Sequence, residues 1–107
     1  MDIVNLTEGA FDGAVAQGVS LVDFWATWCG PCKMMGALLE QQVAPQLEGT
    51  GVKVFKVNIE DEPALAARFE VLSIPLLMVF RDGAEVARME GVQKPQDILA
   101  RIDEIRS

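Results

Sequence analysis

Cys29 and Cys32 are the only two thiols in this chain of 107 residues, and they stand three positions apart in Trp28-Cys29-Gly30-Pro31-Cys32-Lys33. At the start of a helix, that spacing puts both side chains on one face with Cβ atoms about 5–6 Å apart. A disulfide can bridge such a gap with slight adjustment. A bridge across four residues holds nothing distant together, so its use is expected to be chemical: a dithiol that opens and closes. Two duller uses compete with it. Zinc wants four ligands from cysteine, histidine or carboxylate, and the chain offers no third thiol and no histidine at all. A purely structural cross-link has little to gain from so short a loop. No metal and no bound organic cofactor is expected.

Composition narrows the field further. A length of 107 residues predicts one domain, 1–107, with one core, and half of the residues are hydrophobic. Nine basic against sixteen acidic residues give a net charge of −7, which argues against nucleic acid or an anionic membrane as partner. The absence of histidine removes imidazole as a general base or metal ligand. The start Met1-Asp2-Ile3-Val4-Asn5 lacks the basic and apolar blocks of a signal peptide. No apolar run reaches the ~18 residues of a membrane span. The expectation is a soluble, cytoplasmic, monomeric protein, a setting in which a CxxC pair serves redox or metal chemistry.

The elements that must hold the cysteines can be read in chain order. Ile3 to Leu6 suggests a short strand, and Thr7 offers an N-cap hydroxyl to a helix running to about Gln17, with Phe11 and Val15 on one face. Ser20 to Ala26 is apolar nearly throughout, as in a strand covered on both sides, with one charge, Asp23, in its middle. A helix should begin between Cys29 and Pro31, where proline's missing N–H is no loss. Met35, Leu39 and Val43 recur at fours to give it a core face, and Pro45 should kink or end it near Ala44. Val52 to Ile59 reads as a second buried strand. Glu60-Asp61-Glu62-Pro63 reads as the solvated start of another helix, with the acids near its positive end. A turn at Leu72-Ser73-Ile74-Pro75 leads into the strand Leu76–Phe80. Asp82-Gly83 then predicts a tight hairpin back through Glu85–Met89, and Lys94-Pro95 opens a last helix with Ile98, Leu99, Ile102 and Ile105 in one stripe. The pattern predicts an α/β fold with a central mixed sheet of about five strands and four helices on both faces.

Taken together, Phe24-Trp25-Ala26-x-Trp28-Cys29-Gly30-Pro31-Cys32-Lys33, with Asp23 ahead, Ile74-Pro75 downstream and Asp82-Gly83 at the hairpin, closely resembles the thioredoxin family. The order of elements agrees over essentially the whole chain. The resemblance implies the thioredoxin fold and a protein-disulfide reductase. Cys29 is then the nucleophile, its thiolate favoured by unpaired N–H groups at the helix start, and Cys32 is the resolving thiol that attacks the mixed disulfide. Gly30 and Pro31 set the turn between them, and in the family proline at that position goes with the reducing direction. Asp23, desolvated in a buried strand and so raised in pKa, is implied as proton acceptor for Cys32, directly or through one water. Its dull alternative is a structural carboxylate salt-bridged to Lys56, which otherwise modulates it. Pro75 is expected to follow a cis bond, although only ~5–6% of X–Pro bonds are cis. Ile74 is implied to pair with an extended substrate backbone, Trp28 to form the rim with Trp25 packed beneath, and Gly91 to let a partner backbone approach. Met34 and Met35 are assigned to packing.

Ala37, Ser73, Leu76 and Glu90 depart from the commonest family pattern, the last three at the expected border of the docking face. Implied partners are oxidised protein disulfides and, as electron donor, a flavoprotein thioredoxin reductase. A more oxidising thiol exchanger or isomerase, or a binding module that leaves the thiols unused, are the alternatives on the same fold.

Overall fold

The strand that carries Asp23 lies in the middle of a sheet, as its nearly continuous apolar run leads one to expect. In the computed structural model, which describes residues 3–107, this strand is β2 (Val19–Trp25), and all of it but Trp25 is buried. It belongs to a five-stranded sheet with β1 (Val4–Asn5), β3 (Lys53–Asn58), β4 (Leu76–Arg81) and β5 (Ala84–Glu90), in the order β1-β3-β2-β4-β5. β1, β3 and β2 run parallel, whereas β4 is antiparallel to β2 and β5 is antiparallel to β4. The hairpin between them turns at Asp82 and Gly83 with φ of 50° and 86°, the two positive angles that make Asp-Gly a favoured pair there. The tip is stitched to the start of β2: Gly18 N–H donates to Asp82 Oδ1 at 2.8 Å, and Asp82 N–H donates to the Gly18 carbonyl at 2.9 Å.

Helices cover both faces. α1 (Glu8–Val15) opens on Thr7, whose hydroxyl accepts from Ala10 N–H at 3.3 Å, and it ends two residues before the expected Gln17. α2 (Gly30–Leu38) continues through a wider π-type turn, Leu39–Val43, into α3 (Ala44–Leu47) as one bent helix. α4 (Pro63–Arg68) and α5 (Pro95–Arg106) complete the set. The bend comes one turn earlier than expected. Pro45 has no N–H for the Gln41 carbonyl, and its ring crowds that carbonyl. The preceding turn widens instead, and Ala44 N–H reaches back five residues to Leu39 O.

Two apolar layers follow from the period of two along the strands. Leu21, Leu77 and Val79 pack with Met35, Leu39 and Val43 of the bent helix and with Ile98 and Ile102 of α5. Val22, Phe24, Met78 and Phe80 pack on the other face with Phe11 and Val15 of α1 and Leu65 of α4. By the same alternation Asp23 points to the side of the bent helix. Phe11 is fully buried, with its ring centroid 5.1 Å from that of Phe69 and 5.4 Å from that of Phe80. Phe11→Ala is expected to cost about 3–5 kcal/mol through lost burial and the cavity left behind, measured as a lower urea midpoint with an unchanged slope.

Candidate redox-active site

At the end of β2 the chain turns through Ala26-Thr27-Trp28 and enters α2. Cys29 N–H donates to the Ala26 carbonyl at 3.3 Å, and Cys29 itself is the N-cap of α2 in extended conformation. Its Sγ accepts the N–H of Cys32 at 3.2 Å. A sulfur in this position takes the place of a capping oxygen and meets the Cys32 N–H, an early helical amide with no carbonyl partner inside the helix. Negative charge is stabilised there. Cys29 and Cys32 form a disulfide with Cα atoms 5.2 Å apart. Both residues are nearly buried, 6% and 3% exposed, between Ala26 and the flanks of Trp25, Ile59 and Ile74.

The turn before the cysteines is anchored from an unexpected quarter. Glu60 Oε1 accepts from both the N–H and the hydroxyl of Thr27, each at 2.7 Å, and these bonds hold the Glu60 carboxyl below its ordinary pKa. Glu60 and Asp61 are exposed, as expected of a solvated segment, but the expected helix start needs correcting. α4 begins only at Pro63, because proline suits a first helical position and leaves the acids in the turn ahead. There Glu62 Oε1 accepts from Glu8 N–H at 2.8 Å, so two of the three acids tie down backbone elsewhere.

Across from the disulfide lies the loop before β4. The Ile74–Pro75 bond is cis, and the Ile74 carbonyl oxygen sits 4.0 Å from Cys29 Sγ. An oxidised sulfur has no proton to give, so this is a contact and not a hydrogen bond. Gly91 closes the other side, its N–H donating to the Pro75 carbonyl at 2.9 Å. Gly91 has φ of 79°, and a Cβ built there would meet no atom within 4 Å. The site is open above it. Trp28 is 69% exposed beside the cysteines. Trp25 is half-buried, its indole N–H held by Asn5 Oδ1 at 2.9 Å. Gly30 and Pro31 are exposed at the helix tip between the two sulfurs.

Below the disulfide, Asp23 is 1% exposed and its Oδ1 has no hydrogen-bond partner. Burial pushes its pKa up to about 7, with the positive charge of Lys56 acting in the opposite sense. Lys56 is its register partner on β3. The Lys56 ammonium pairs with Glu40, Nζ to Oε1 4.0 Å, and lies 5.2 Å from the Trp25 ring centroid. Asp23, Cys32, Lys56 and Glu40 line one cleft of about 290 Å3, kept open by the small residues Gly36 and Ala37. A carboxyl poised between charge states thus shares a space with the inner sulfur. Among the described residues no three His, Cys, Asp or Glu side chains gather to hold a metal ion. No helix among them is long and apolar enough to cross a membrane.

Two assignments change on this geometry. Met34, expected to pack, is 60% exposed on α2, whereas Met35 is fully buried and its sulfur accepts Gln93 N–H at 3.3 Å. Adjacent helical positions lie about 100° apart, so only one of them can face the core. Leu76, expected at the docking border, turns its side chain into the layer with Phe11 and Phe80 at 1% exposure, while Ser73 and Glu90 are exposed. Sequence reading missed Glu40 and Glu60. For Glu40 a signal existed, since Cys32, Gly36 and Glu40 recur at fours on one helix face. For Glu60, 33 residues from Thr27, no local signal exists.

Comparison with known proteins agrees in family and fold. The thioredoxin family model matches residues 2–104. A thioredoxin of Staphylococcus aureus is 47% identical over 102 residues, covering 95% of both chains, and proteins of that name from further strains of the species match equally. Among solved structures, a mutant thioredoxin from Halobacterium salinarum NRC-1 superposes with a TM-score of 0.84 at 28% identity, covering 98% of this chain and 90% of that one.

Proposed function

The chain belongs to the thioredoxin family and is a thiol–disulfide oxidoreductase, and from that premise we propose how its residues divide the reaction and whom it serves. In the reduced protein, the Cys29 thiolate attacks one sulfur of a substrate disulfide. A Cys29–substrate disulfide forms and the other substrate sulfur leaves as thiolate. The Cys32 N–H, 3.2 Å from Cys29 Sγ in the oxidised form, stabilises the attacking charge. Cys32 then gives its proton to Asp23 and attacks Cys29 Sγ. The second substrate sulfur departs as a thiolate, and the Cys29–Cys32 disulfide is restored. Two electrons have moved from this chain to its substrate.

The observation that carries this reading is a disulfide at the N-terminal tip of α2, with a buried, partly unpartnered carboxyl in the cleft beneath it. Gly30 and Pro31 hold the turn, and Lys56 modulates Asp23. Trp28, Ile74, Pro75 and Gly91 form the docking rim, where an extended substrate segment pairs with the Ile74 backbone and passes over Gly91. Substrates are oxidised protein disulfides. The electron donor is a flavoprotein thioredoxin reductase, and the setting is the cytoplasm, where a monomer supports electron transport and redox homeostasis.

The two-step scheme is tested by removing the second thiol. Cys32→Ser should arrest the reaction at the mixed disulfide, so that partners from a lysate accumulate on Cys29 and are released by dithiothreitol. Recovery of none would overturn the scheme.

A further inference from the structure

The cleft under the disulfide contains two charged residues that the scheme above leaves idle, Lys33 and Glu40, and of these Glu40 is the one paired with Lys56. Glu40 stands in the π-type turn that follows α2, two residues into the region where the helix widens. Its carboxylate is the ion-pair partner of Lys56 at 4.0 Å, and it lines the same cleft as Asp23 and Cys32. Lys56 is therefore the middle member of a row, with the buried Asp23 carboxyl inside and the half-exposed Glu40 carboxylate outside. Its ammonium can be drawn either way, and it is steadied over the Trp25 ring at 5.2 Å.

The groups facing Asp23 are few. From α2 come Cys32 and Lys33, from the π-type turn Glu40, and from β3 Lys56, while its neighbour on β4 is the apolar Leu77. In the oxidised protein the cysteines do not titrate, so burial and the charge of Lys56 set the state of Asp23, with Lys33 and Glu40 as the other charged residues lining the cleft. We propose that Glu40 is a positioning residue that acts through Lys56: by holding the ammonium at the cleft mouth it limits how far that positive charge favours the Asp23 carboxylate, and so tunes the transfer of the Cys32 proton. The proposal rests on Asp23 being the proton acceptor. The coupling itself can be read without that assumption.

Electrostatics fixes the sign. Removing the Glu40 charge takes an anion away from Asp23 and frees Lys56 to approach it, and both changes favour the Asp23 carboxylate. In oxidised Glu40→Gln, the 13C titration of the Asp23 carboxyl should move to lower pH. About two- to threefold more carboxylate is expected at pH 6, the size of one water-screened charge. Lys56→Met should move the titration the other way. In the Lys56→Met background, Glu40→Gln should have less than half its effect. In the reduced protein, the acid limb of the resolving rate should follow the same shift, with no gain above pH 8. Glu40 is exposed, so the variant should fold, which its thermal melt checks. An unmoved Asp23 titration in Glu40→Gln, or an equal shift with Lys56 removed, would overturn the proposal. If the titration moves while Asp23→Asn leaves the resolving rate unchanged, the coupling stands and the proton-acceptor role of Asp23 falls.

Discussion

Cys29→Ser is expected to abolish the reduction of protein disulfides, with a loss on the order of a thousandfold or more, limited by the assay background. A thiolate both attacks sulfur and remains bonded to it, whereas a serine hydroxyl is un-ionised at neutral pH and forms no disulfide. The geometry removes the fallback as well. Cys32, in the first turn of α2, lines the inner cleft with Asp23, whereas Cys29 lies against Ile74 at the loop before β4, so Cys32 is poorly placed to meet a folded substrate in place of Cys29. Dithiothreitol-driven reduction of insulin, followed by turbidity, gives the comparison directly. Wild-type protein should accelerate precipitation strongly, and the variant should match the uncatalysed blank. A variant retaining even a tenth of the wild-type rate would remove Cys29 as nucleophile.

The second large effect separates stability from activity at one residue. Asp23 carries its proton in the fold up to about pH 7, against a usual carboxyl value of 3.8, because burial disfavours the charge. Between those values the native state binds a proton that the unfolded chain has released. Stability therefore falls as pH rises from about 4 to 7, then levels off. The gap corresponds to roughly 4 kcal/mol at its full extent. Asp23→Asn keeps the shape and removes the titration. It should be more stable than wild type by up to that amount at pH 8, and the difference should close as the pH is lowered toward 4. Urea unfolding of both oxidised proteins at pH 4, 6 and 8 measures it. The same substitution should slow the resolving step near pH 7 by on the order of ten- to a hundredfold. Above the thiol's own pKa the loss should shrink, because Cys32 then ionises unaided. A destabilised variant at pH 8 would show that Asp23 is held by favourable bonds and not merely tolerated. An unchanged resolving rate would leave it a structural residue.

A costly carboxyl retained under a disulfide also explains why sequence reading could find it. A lone acid in an otherwise apolar run, Leu21-Val22-Asp23-Phe24, violates the local pattern, and such violations concentrate where chemistry is done. The disulfide was equally legible, since three-residue spacing in a helix start is a matter of local geometry. So was the hairpin, because Asp82 and Gly83 are residue types that tolerate the positive φ they adopt. Pro45 announced a disturbance in the long helix, but its place, one turn earlier in Leu39–Val43, depended on which carbonyl the ring would crowd.

Features that act within about one helical turn or one strand can be read from the residues alone: the paired thiols, the N-cap at Thr7, the buried run of β2, the turn at Asp82-Gly83 and the stripe of α5. Packing across the fold is what brings Glu60 to Thr27 over 33 positions, Ile74 against Cys29 over 45, and Lys56 to Glu40 for its ion pair. It also decided that Leu76 would serve the core and Met34 the surface. The division has a physical cause. Backbone preference and side-chain periodicity are properties of neighbours along the chain, while the partner a charge or a carbonyl finds depends on how sheet and helices pack, which no local stretch encodes.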